Sequence, residues 1–109
     1  MQPIRLDEII ATRTYEWLRG ESAVEEVIIN IGKPYPFDDG IDFICPYQIV
    51  TRERDKKLYA AGVDAVQALQ LVMNSIGAEL QYIERQFGGK LRIKDFGDDS
   101  ALGFPTLPD

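Results

Sequence analysis

The hydrophobic pattern of the chain changes period near Gly62, and this change limits the folds that the chain can adopt. Before it, apolar and polar residues alternate with a period of two, as Val27, Ile29 and Ile31 show, which is typical of half-buried strands. From Asp64 onward apolar residues recur every three or four positions, which is typical of an amphipathic helix. Several strands followed by one long helix predict a two-layer α+β domain, with the helix across one face of a mostly antiparallel sheet.

Alternating segments bounded by turn residues predict four strands and then a short fifth one, at residues 9–18, 24–31, 43–52, 57–61 and 91–93. The segment 33–42 holds two prolines and a glycine, so we expect a loop there. Pro46 lies inside the third strand and has no backbone N–H to donate to a neighbouring strand. That strand is therefore predicted to lie at an edge of the sheet or to carry a bulge at Pro46.

The helix is predicted to begin at Asp64, a good N-cap residue, with Gln67 three positions later completing a capping box. It is predicted to end at Phe87, because Gly88 and Gly89 follow. The same helix spacing would suit a helix–helix dimer seam, but the sheet would then lack a cover. We expect one apolar stripe of the helix to cover the sheet; its residues are Val66, Leu69, Met73, Ile76, Leu80, Ile83 and Phe87.

Two further features concern packing rather than chemistry. Gly77 lies within the helix, where glycine costs up to about 1 kcal/mol relative to alanine, so we expect either close packing or a kink there. After the last predicted strand, Leu102 and Phe104 belong to a tail that is predicted to dock two apolar side chains onto the domain.

The charge balance narrows the classes of partner. Twelve basic and 18 acidic residues give a net charge of −6, which disfavours binding to phosphate backbones and fits either a solvated acidic surface or a basic partner. No apolar run approaches the roughly 18 residues of a membrane span, and the first residues do not resemble a secretory signal. A single cysteine cannot form an intramolecular disulfide. We therefore expect residues 1–109 to be one globular domain in the cytoplasm, bound to neither nucleic acid nor membrane.

The chain has no histidine, which removes the commonest general base and the commonest transition-metal ligand. A Ser-His-Asp or Cys-His catalytic arrangement is therefore impossible within this chain. Cys45 has no adjacent positive charge that would lower the pKa of its thiol, so it is interpreted as a small buried apolar residue. We expect no catalytic residue and no cofactor, so the sequence disfavours an enzyme.

Acidic residues in the predicted loop are the weak candidates for a metal site. Asp38, Asp39 and Asp42 offer carboxylates for Ca²⁺ or Mg²⁺, or for acid–base chemistry, but their spacing lacks the ligand positions of an EF-hand. Asp98 and Asp99 form a similar acidic pair. Solvated aspartates at turns explain both groups more simply.

Aromatic residues and an arginine are the candidates for a partner-binding surface. Arg13, Tyr15 and Trp17 share one face of the first predicted strand, and these residue types are enriched at interface hot spots. The alternative is that Tyr15 and Trp17 are core residues under the helix, with Arg13 at the periphery. Tyr35 and Phe37, in the proline-rich loop, are the second candidate surface, since aromatic rings beside acidic residues suit a basic partner.

Three motifs stand out: Cys-Pro-Tyr at 45–47, Gly-Val-Asp-Ala-Val-Gln-Ala-Leu-Gln-Leu at 62–71 and Leu-Gly-Phe-Pro at 102–105. Together they resemble a bacterial family of small uncharacterised domains. The resemblance implies the order strand pair, loop, strand, helix start and tail, and it brings no settled activity with it. The helix start is also similar to those of several small bacterial immunity proteins, a likeness that implies no catalytic residue.

These observations leave three functional hypotheses. The first is a non-enzymatic protein-binding module of the inhibitor or immunity type, which occludes a basic partner protein. The second is a small divalent-metal-binding protein or enzyme that uses the loop with Asp38, Asp39 and Asp42. The third is a structural homodimer formed through an edge strand or the helix. The scarcity of catalytic groups favours the first.

Overall fold

The computed structural model of the protein describes residues 4–20, 23–38, 40–96 and 102–106. One sheet of antiparallel strand pairs is followed by a single long helix that packs against it, so the predicted two-layer α+β fold is confirmed. In chain order the elements are β1 (Ile9–Leu18), β2 (Val24–Gly32), β3 (Tyr35–Pro36), β4 (Phe43–Val50), β5 (Asp55–Gly62), α1 (Ala65–Phe87) and β6 (Lys90–Ile93).

The sheet places sequence neighbours side by side. β1 pairs with β2 on one side and with β6 on the other, and β2 pairs in turn with β4. β5 pairs with β4 over the whole length of both strands. The segment 33–42, predicted to be a loop, contains the two-residue strand β3, which pairs with the beginning of β4. The prolines in this segment conceal such a short strand in the sequence.

The position of Pro46 corrects the prediction that its strand is an edge strand, because β4 is interior. On the side away from β5, β4 pairs with β2 from Tyr47 onward and with β3 up to Ile44. Pro46 falls between these two partners, where its backbone faces Gly32. A Cβ on Gly32 would stand only 2.7 Å from Cγ of Pro46. A proline is tolerated because the ladder on that side changes strands at this point.

The core lies between α1 and one face of the sheet. The sheet residues expected there on the basis of alternation are buried, which confirms that part of the prediction. The missing side chain of Gly62 lets the first turn of α1 approach β5 closely, since a Cβ on Gly62 would stand 2.6 Å from the Ala68 nitrogen. The core cluster consists of Tyr15, Trp17, Val27, Ile29, Ile31, Cys45, Tyr47, Ile49, Ala68, Val72, Ile76, Leu80, Ile83 and Leu91.

The predicted apolar stripe of the helix is correct in its middle and wrong in its first part and at its last residue, Phe87. Ile76, Leu80 and Ile83 are buried as expected. Val66 and Met73, however, are 64% and 41% exposed, and Ala68 and Val72 take the core positions instead; Leu69 is half-buried and Phe87 exposed. A strict seven-residue repeat drifts around a straight helix of 3.6 residues per turn, so the stripe leaves the sheet toward the N-terminal end.

Both ends of α1 follow local signals in the sequence. The Asp64 side chain accepts a hydrogen bond from the Gln67 backbone nitrogen at 2.8 Å, which confirms the N-cap. The Gln67 side chain accepts from the Val63 nitrogen at 2.7 Å, one residue earlier than in the usual capping box. At the other end the Gly88 nitrogen donates to the Glu84 oxygen, and the helix ends at Phe87 as predicted.

The tail at residues 102–106 docks onto the domain, as predicted. Leu102 and Phe104 pack against the core cluster. The Tyr15 hydroxyl donates to the Leu102 oxygen, and Arg13 Nη1 donates to the Gly103 oxygen at 2.9 Å. The tail crosses α1 at Gly77, whose missing side chain makes room for it. The helix glycine therefore serves close packing.

The face of the sheet opposite α1 carries a polar chain that crosses four strands. Thr12 Oγ1 donates to Asn30 Oδ1 at 2.8 Å, and Asn30 Nδ2 donates to Gln48 Oε1 at 3.0 Å. Gln48 Nε2 then donates to Asp55 Oδ1 at 2.7 Å. We call these four residues the polar ladder; it links β1, β2, β4 and β5 on the side opposite α1.

Among the described residues, no helix has the length and apolar character needed to cross a membrane.

Candidate functional site

A cleft of about 100 Å³ opens between the C-terminal half of α1 and the ends of four strands. The residues that line it belong to β1 and the position after it, β2, β4, β5, the turn before β5 and α1. We call it the aromatic cleft, because three of its residues are aromatic. It is lined by Trp17, Arg19, Glu25, Ile49, Thr51, Glu53, Arg54, Lys56, Glu79, Tyr82, Ile83 and Phe87.

Phe87, the last residue of α1, stands between the other two rings of the cleft. Its ring centroid lies 6.4 Å from that of Trp17, with the ring planes at 73°. The Tyr82 centroid lies 6.3 Å from Phe87 on the same helix, with the planes at 82°. Both pairs have the edge-to-face geometry that aromatic rings prefer. Trp17 is almost fully buried, whereas Tyr82 and Phe87 remain exposed to solvent.

Arginine side chains already lie over two of these rings. The Arg19 guanidinium carbon stands 4.2 Å from the Trp17 ring centroid, and that of Arg54 stands 5.8 Å from the Phe87 centroid. Both distances fall within the range of cation–π attraction. Arg19 is further held by Glu25, at 3.4 Å. The cleft is therefore a place where guanidinium groups meet aromatic faces.

Carboxylates line the cleft beside the rings. Lys56 Nζ lies 3.4 and 3.5 Å from the two oxygens of Glu79, and Arg19 lies 3.4 Å from Glu25. These distances exceed the roughly 2.7–2.9 Å of a good charge-assisted hydrogen bond. Glu53 lies exposed on the turn before β5. The carboxylates of Glu25 and Glu79 thus keep much of their capacity to accept hydrogen bonds.

Local hydrogen bonds hold the parts of the cleft together. In the turn between β4 and β5, the Thr51 nitrogen donates to the Arg54 oxygen at 2.7 Å, and the Arg54 nitrogen donates to Thr51 Oγ1 at 3.1 Å. Trp17 Nε1 donates to the Gly88 oxygen at 3.0 Å, which ties the end of β1 to the end of α1. The backbone that presents Arg54 is fixed by these contacts, while its side chain extends over Phe87.

The structure resolves the two alternatives for the first candidate surface. Tyr15 and Trp17 are 0% and 4% exposed, so they are core residues, and the prediction of an open face formed by their rings is corrected. Helix α1 and the docked tail cover that face. Arg13 is half-buried and stacks on the Phe104 ring at 4.9 Å, so it holds the tail. Only Trp17 of this group also lines the aromatic cleft.

Tyr35 and Phe37 lie apart from the aromatic cleft, beside β4. The Arg5 guanidinium carbon stands 4.5 Å from the Tyr35 ring centroid, and the Phe37 nitrogen donates to the Asp42 oxygen at 2.8 Å. Both aromatic residues are half-buried, because the N-terminal segment and the loop pack around them. Their role in binding a partner stays a prediction.

The acidic loop gives no assembled metal centre in the part of the chain that the structure describes. There, no three His, Cys, Asp or Glu residues are grouped so that they could hold an ion. Asp38 is exposed and Asp42 half-buried. Asp39, Asp98 and Asp99 lie outside the described residues. Metal binding by this loop therefore stays a prediction.

Cys45 lies in the core, as its interpretation as a small apolar residue requires. Burial raises the pKa of its thiol to about 11, because the thiolate would lose its hydration. Its Sγ lies 3.5 Å from the Gly32 oxygen. A thiol that stays protonated near neutral pH and is shielded from solvent is a poor nucleophile.

The sequence marks Trp17 as a binding candidate but does not indicate the aromatic cleft. Nothing local to Arg19, Arg54 or Tyr82 indicates that these residues share a site. The available signal was the pair Tyr82 and Phe87 in the last turns of α1, where two large aromatic residues exceed what one buried stripe needs. The residues that the strands contribute to the cleft come together only in the folded sheet.

The fold and the cleft define a small two-layer α+β domain with an aromatic cleft at the C-terminal end of its helix. Residues 11–106 match the family described as Domain of unknown function (DUF6968), and the chain belongs to this family. The match begins within β1 and ends in the docked tail, so it includes the aromatic cleft. Among curated proteins and solved structures, none matches the chain.

Proposed function

We propose that this domain is a non-enzymatic protein-binding module of the inhibitor type, and that it binds a basic partner protein at the aromatic cleft. The observation that carries the proposal is the convergence of Trp17, Tyr82 and Phe87 with Arg19 and Arg54 in one open cleft. Trp, Tyr and Arg are enriched among the residues that contribute most to binding energy at protein interfaces, and such residues cluster in well-packed pockets.

The charge of the chain supports a basic partner. The net charge of −6 attracts a positively charged protein over several ångströms and speeds its association. Within the cleft, Glu25, Glu53 and Glu79 supply carboxylates next to the exposed rings. A basic surface that enters the cleft would meet apolar area and charge complementarity in the same place.

The reactive groups of the chain also favour binding over catalysis. Histidine is absent from the sequence, and the thiol of Cys45 is buried in the core with a raised pKa. Cys45 does not line the aromatic cleft. A cleft with rings and ion pairs, but without an activated nucleophile, is suited to recognition.

The test is capture of a partner from source-cell lysate on the immobilised protein, at low and at high salt. We expect a basic protein that is retained at low salt and released at high salt. Phe87→Ala and Tyr82→Ala should reduce its capture at least about tenfold, as expected for hot-spot residues.

Tyr59→Ala is the matched control. Tyr59 is 49% exposed and Tyr82 is 53% exposed, but Tyr59 lies on β5 outside the cleft, so its loss should leave capture unchanged. If all three variants retain the partner equally well, or all three lose it equally, the cleft is not the binding site.

A further inference from the structure

The aromatic cleft already holds guanidinium groups of its own chain on two of its three rings. Arg19 is fixed there by two contacts, since it stacks on Trp17 and faces Glu25. Arg54 is held more loosely, at the 5.8 Å distance that is near the limit for cation–π attraction, and it is exposed on the turn before β5. The two arginines therefore differ in how easily they leave their rings.

The surroundings of Phe87 favour a cation over an anion. Phe87 is the last residue of a 23-residue helix, and a helix C-terminus carries a partial negative charge that attracts cations. Glu79 lies on the same helix, and its contacts to Lys56 are long. If Arg54 swung away, the cleft would lose one positive charge while its three carboxylates stayed in place.

We propose that the aromatic cleft is a binding site for an arginine side chain of the partner protein, and that Arg54 is the internal substitute which this side chain displaces from Phe87. The inference rests on the proposed function and specifies the chemistry of its ligand. The incoming guanidinium stacks on the face of Phe87 that Arg54 now covers, and donates hydrogen bonds to Glu79.

Arginine fits this site better than lysine does. A guanidinium is planar, is more weakly hydrated than an ammonium and stacks on aromatic faces while its edge donates hydrogen bonds. The rings of Tyr82 and Phe87 stand nearly perpendicular, at 82°, in an edge-to-face contact that holds Phe87 in place. The Arg54 guanidinium shows that this group fits the space over Phe87.

The test uses the full chain and three blocked peptides, each with one arginine, lysine or glutamate between glycines. Trp17 is the one tryptophan of the chain and lines the cleft, so its fluorescence and its indole NMR signal report binding directly. We expect the arginine peptide to bind about threefold or more tightly than the lysine peptide, and the glutamate peptide not to perturb Trp17.

Variants separate the arginine site from general charge attraction. Phe87→Ala should weaken the arginine peptide about fivefold, the size of one exposed cation–π contact. Arg54→Ala should strengthen it about twofold to threefold, because the internal competitor is gone. Tyr59→Ala should change neither value, since Tyr59 lies outside the cleft.

Two results would overturn the arginine site. One is tighter binding of the glutamate peptide, with loss of that binding in Arg54→Ala, since Arg54 would then be a ligand for a carboxylate. The other is arginine binding that Phe87→Ala leaves unchanged. If partner capture still depends on Phe87 in either case, the protein-binding function stands and only its arginine chemistry fails.

Discussion

The carbonyl oxygen of Pro105 occupies the space that a side-chain carbon on Gly77 would need. Gly77 lies in the middle of α1, where alanine would ordinarily be the better helix former by about 1 kcal/mol. The tail reaches this position because Tyr15 and Arg13 hold the carbonyls of Leu102 and Gly103. Helix propensity and tail docking thus impose opposite demands on this one residue.

Gly77→Ala should destabilise the protein in spite of its higher helix propensity. The new methyl group must displace the tail or strain the helix, and overpacking of this kind costs about 1–3 kcal/mol. Urea unfolding measures the change, with Gln86→Ala as a control at an exposed helix position. A Gly77→Ala protein as stable as the control would mean that the tail does not pack against α1 at Gly77.

Tyr15→Phe should loosen the tail. The substitution removes the hydroxyl that donates to the Leu102 carbonyl while the buried ring is kept, and one such hydrogen bond contributes about 1 kcal/mol. We expect a loss of that size in urea unfolding and faster amide exchange at residues 102–106. Tyr59→Phe, at an exposed ring, serves as the control. Equal effects of the two substitutions would contradict the role of this hydrogen bond.

Trp17→Ala should cost about 3–5 kcal/mol of stability, the range for truncation of a large core aromatic. Tyr82→Ala, in the same cleft but 53% exposed, should cost less than about 1 kcal/mol. Trp17→Phe should fall between them, because it keeps one aromatic ring but loses part of the buried volume and the hydrogen bond to Gly88. Thermal or urea unfolding compares the three, and similar losses for Trp17→Ala and Tyr82→Ala would place Trp17 outside the core.

Stability should fall in alkaline solution. Burial raises the pKa of Cys45 from 9.0 to about 11, and burial together with the negative charge of Glu79 raises the pKa of Tyr47 from 10.0 to about 12. Above pH 9.0 for Cys45 and above pH 10.0 for Tyr47, the unfolded chain releases a proton that the folded chain keeps. The free energy of unfolding therefore declines from pH 9 to about 11 for Cys45, and from pH 10 to about 12 for Tyr47.

Urea unfolding at a series of pH values measures this decline. Cys45→Ala lowers stability at neutral pH by creating a small cavity, so the slope with pH is the quantity to compare. Between pH 9 and 11 the slope should be shallower in Cys45→Ala than in the wild type. Identical slopes would show that the Cys45 thiol ionises as readily in the folded chain as in the unfolded one.

Asn30 and Gln48 should be energetically coupled. Their side chains are joined by one hydrogen bond, and either single alanine substitution removes it. Each of the two also bonds a further residue of the polar ladder. A double-mutant cycle should give a coupling of about 0.5–1 kcal/mol. Asn30→Ala with Tyr82→Ala, on opposite sides of the sheet, should be additive. No coupling between Asn30 and Gln48 would mean that water replaces their hydrogen bond at no cost.

Local signals explain which parts of the fold were predictable. The strand at Ile9–Leu18 and the helix from its N-cap at Asp64 to its cap at Gly88 follow from residues within a few positions of each boundary. The tail was predictable because two large apolar residues, Leu102 and Phe104, follow the acidic pair Asp98 and Asp99. These features need no knowledge of where the rest of the chain lies.

Features that depend on distant partners were not predictable. Pro46 is tolerated in an interior strand only because β3 takes over from β2 beside it. Val66 and Met73 lie off the core because Ala68 and Val72 face the sheet instead, where Gly62 lets the start of α1 approach β5. The aromatic cleft joins Arg19, Arg54 and Phe87, whose separation along the chain hides their contact until the sheet and helix meet.

The polar ladder also determines how the strands align. Slipping any of its strands by one residue would turn Thr12, Asn30 or Gln48 to the opposite face, where α1 would bury an unpaired amide or hydroxyl. Apolar residues alone would tolerate a wrong alignment more readily, since one branched aliphatic side chain replaces another at little cost. The uncovered face of the sheet thus disfavours every strand alignment that is shifted by one residue.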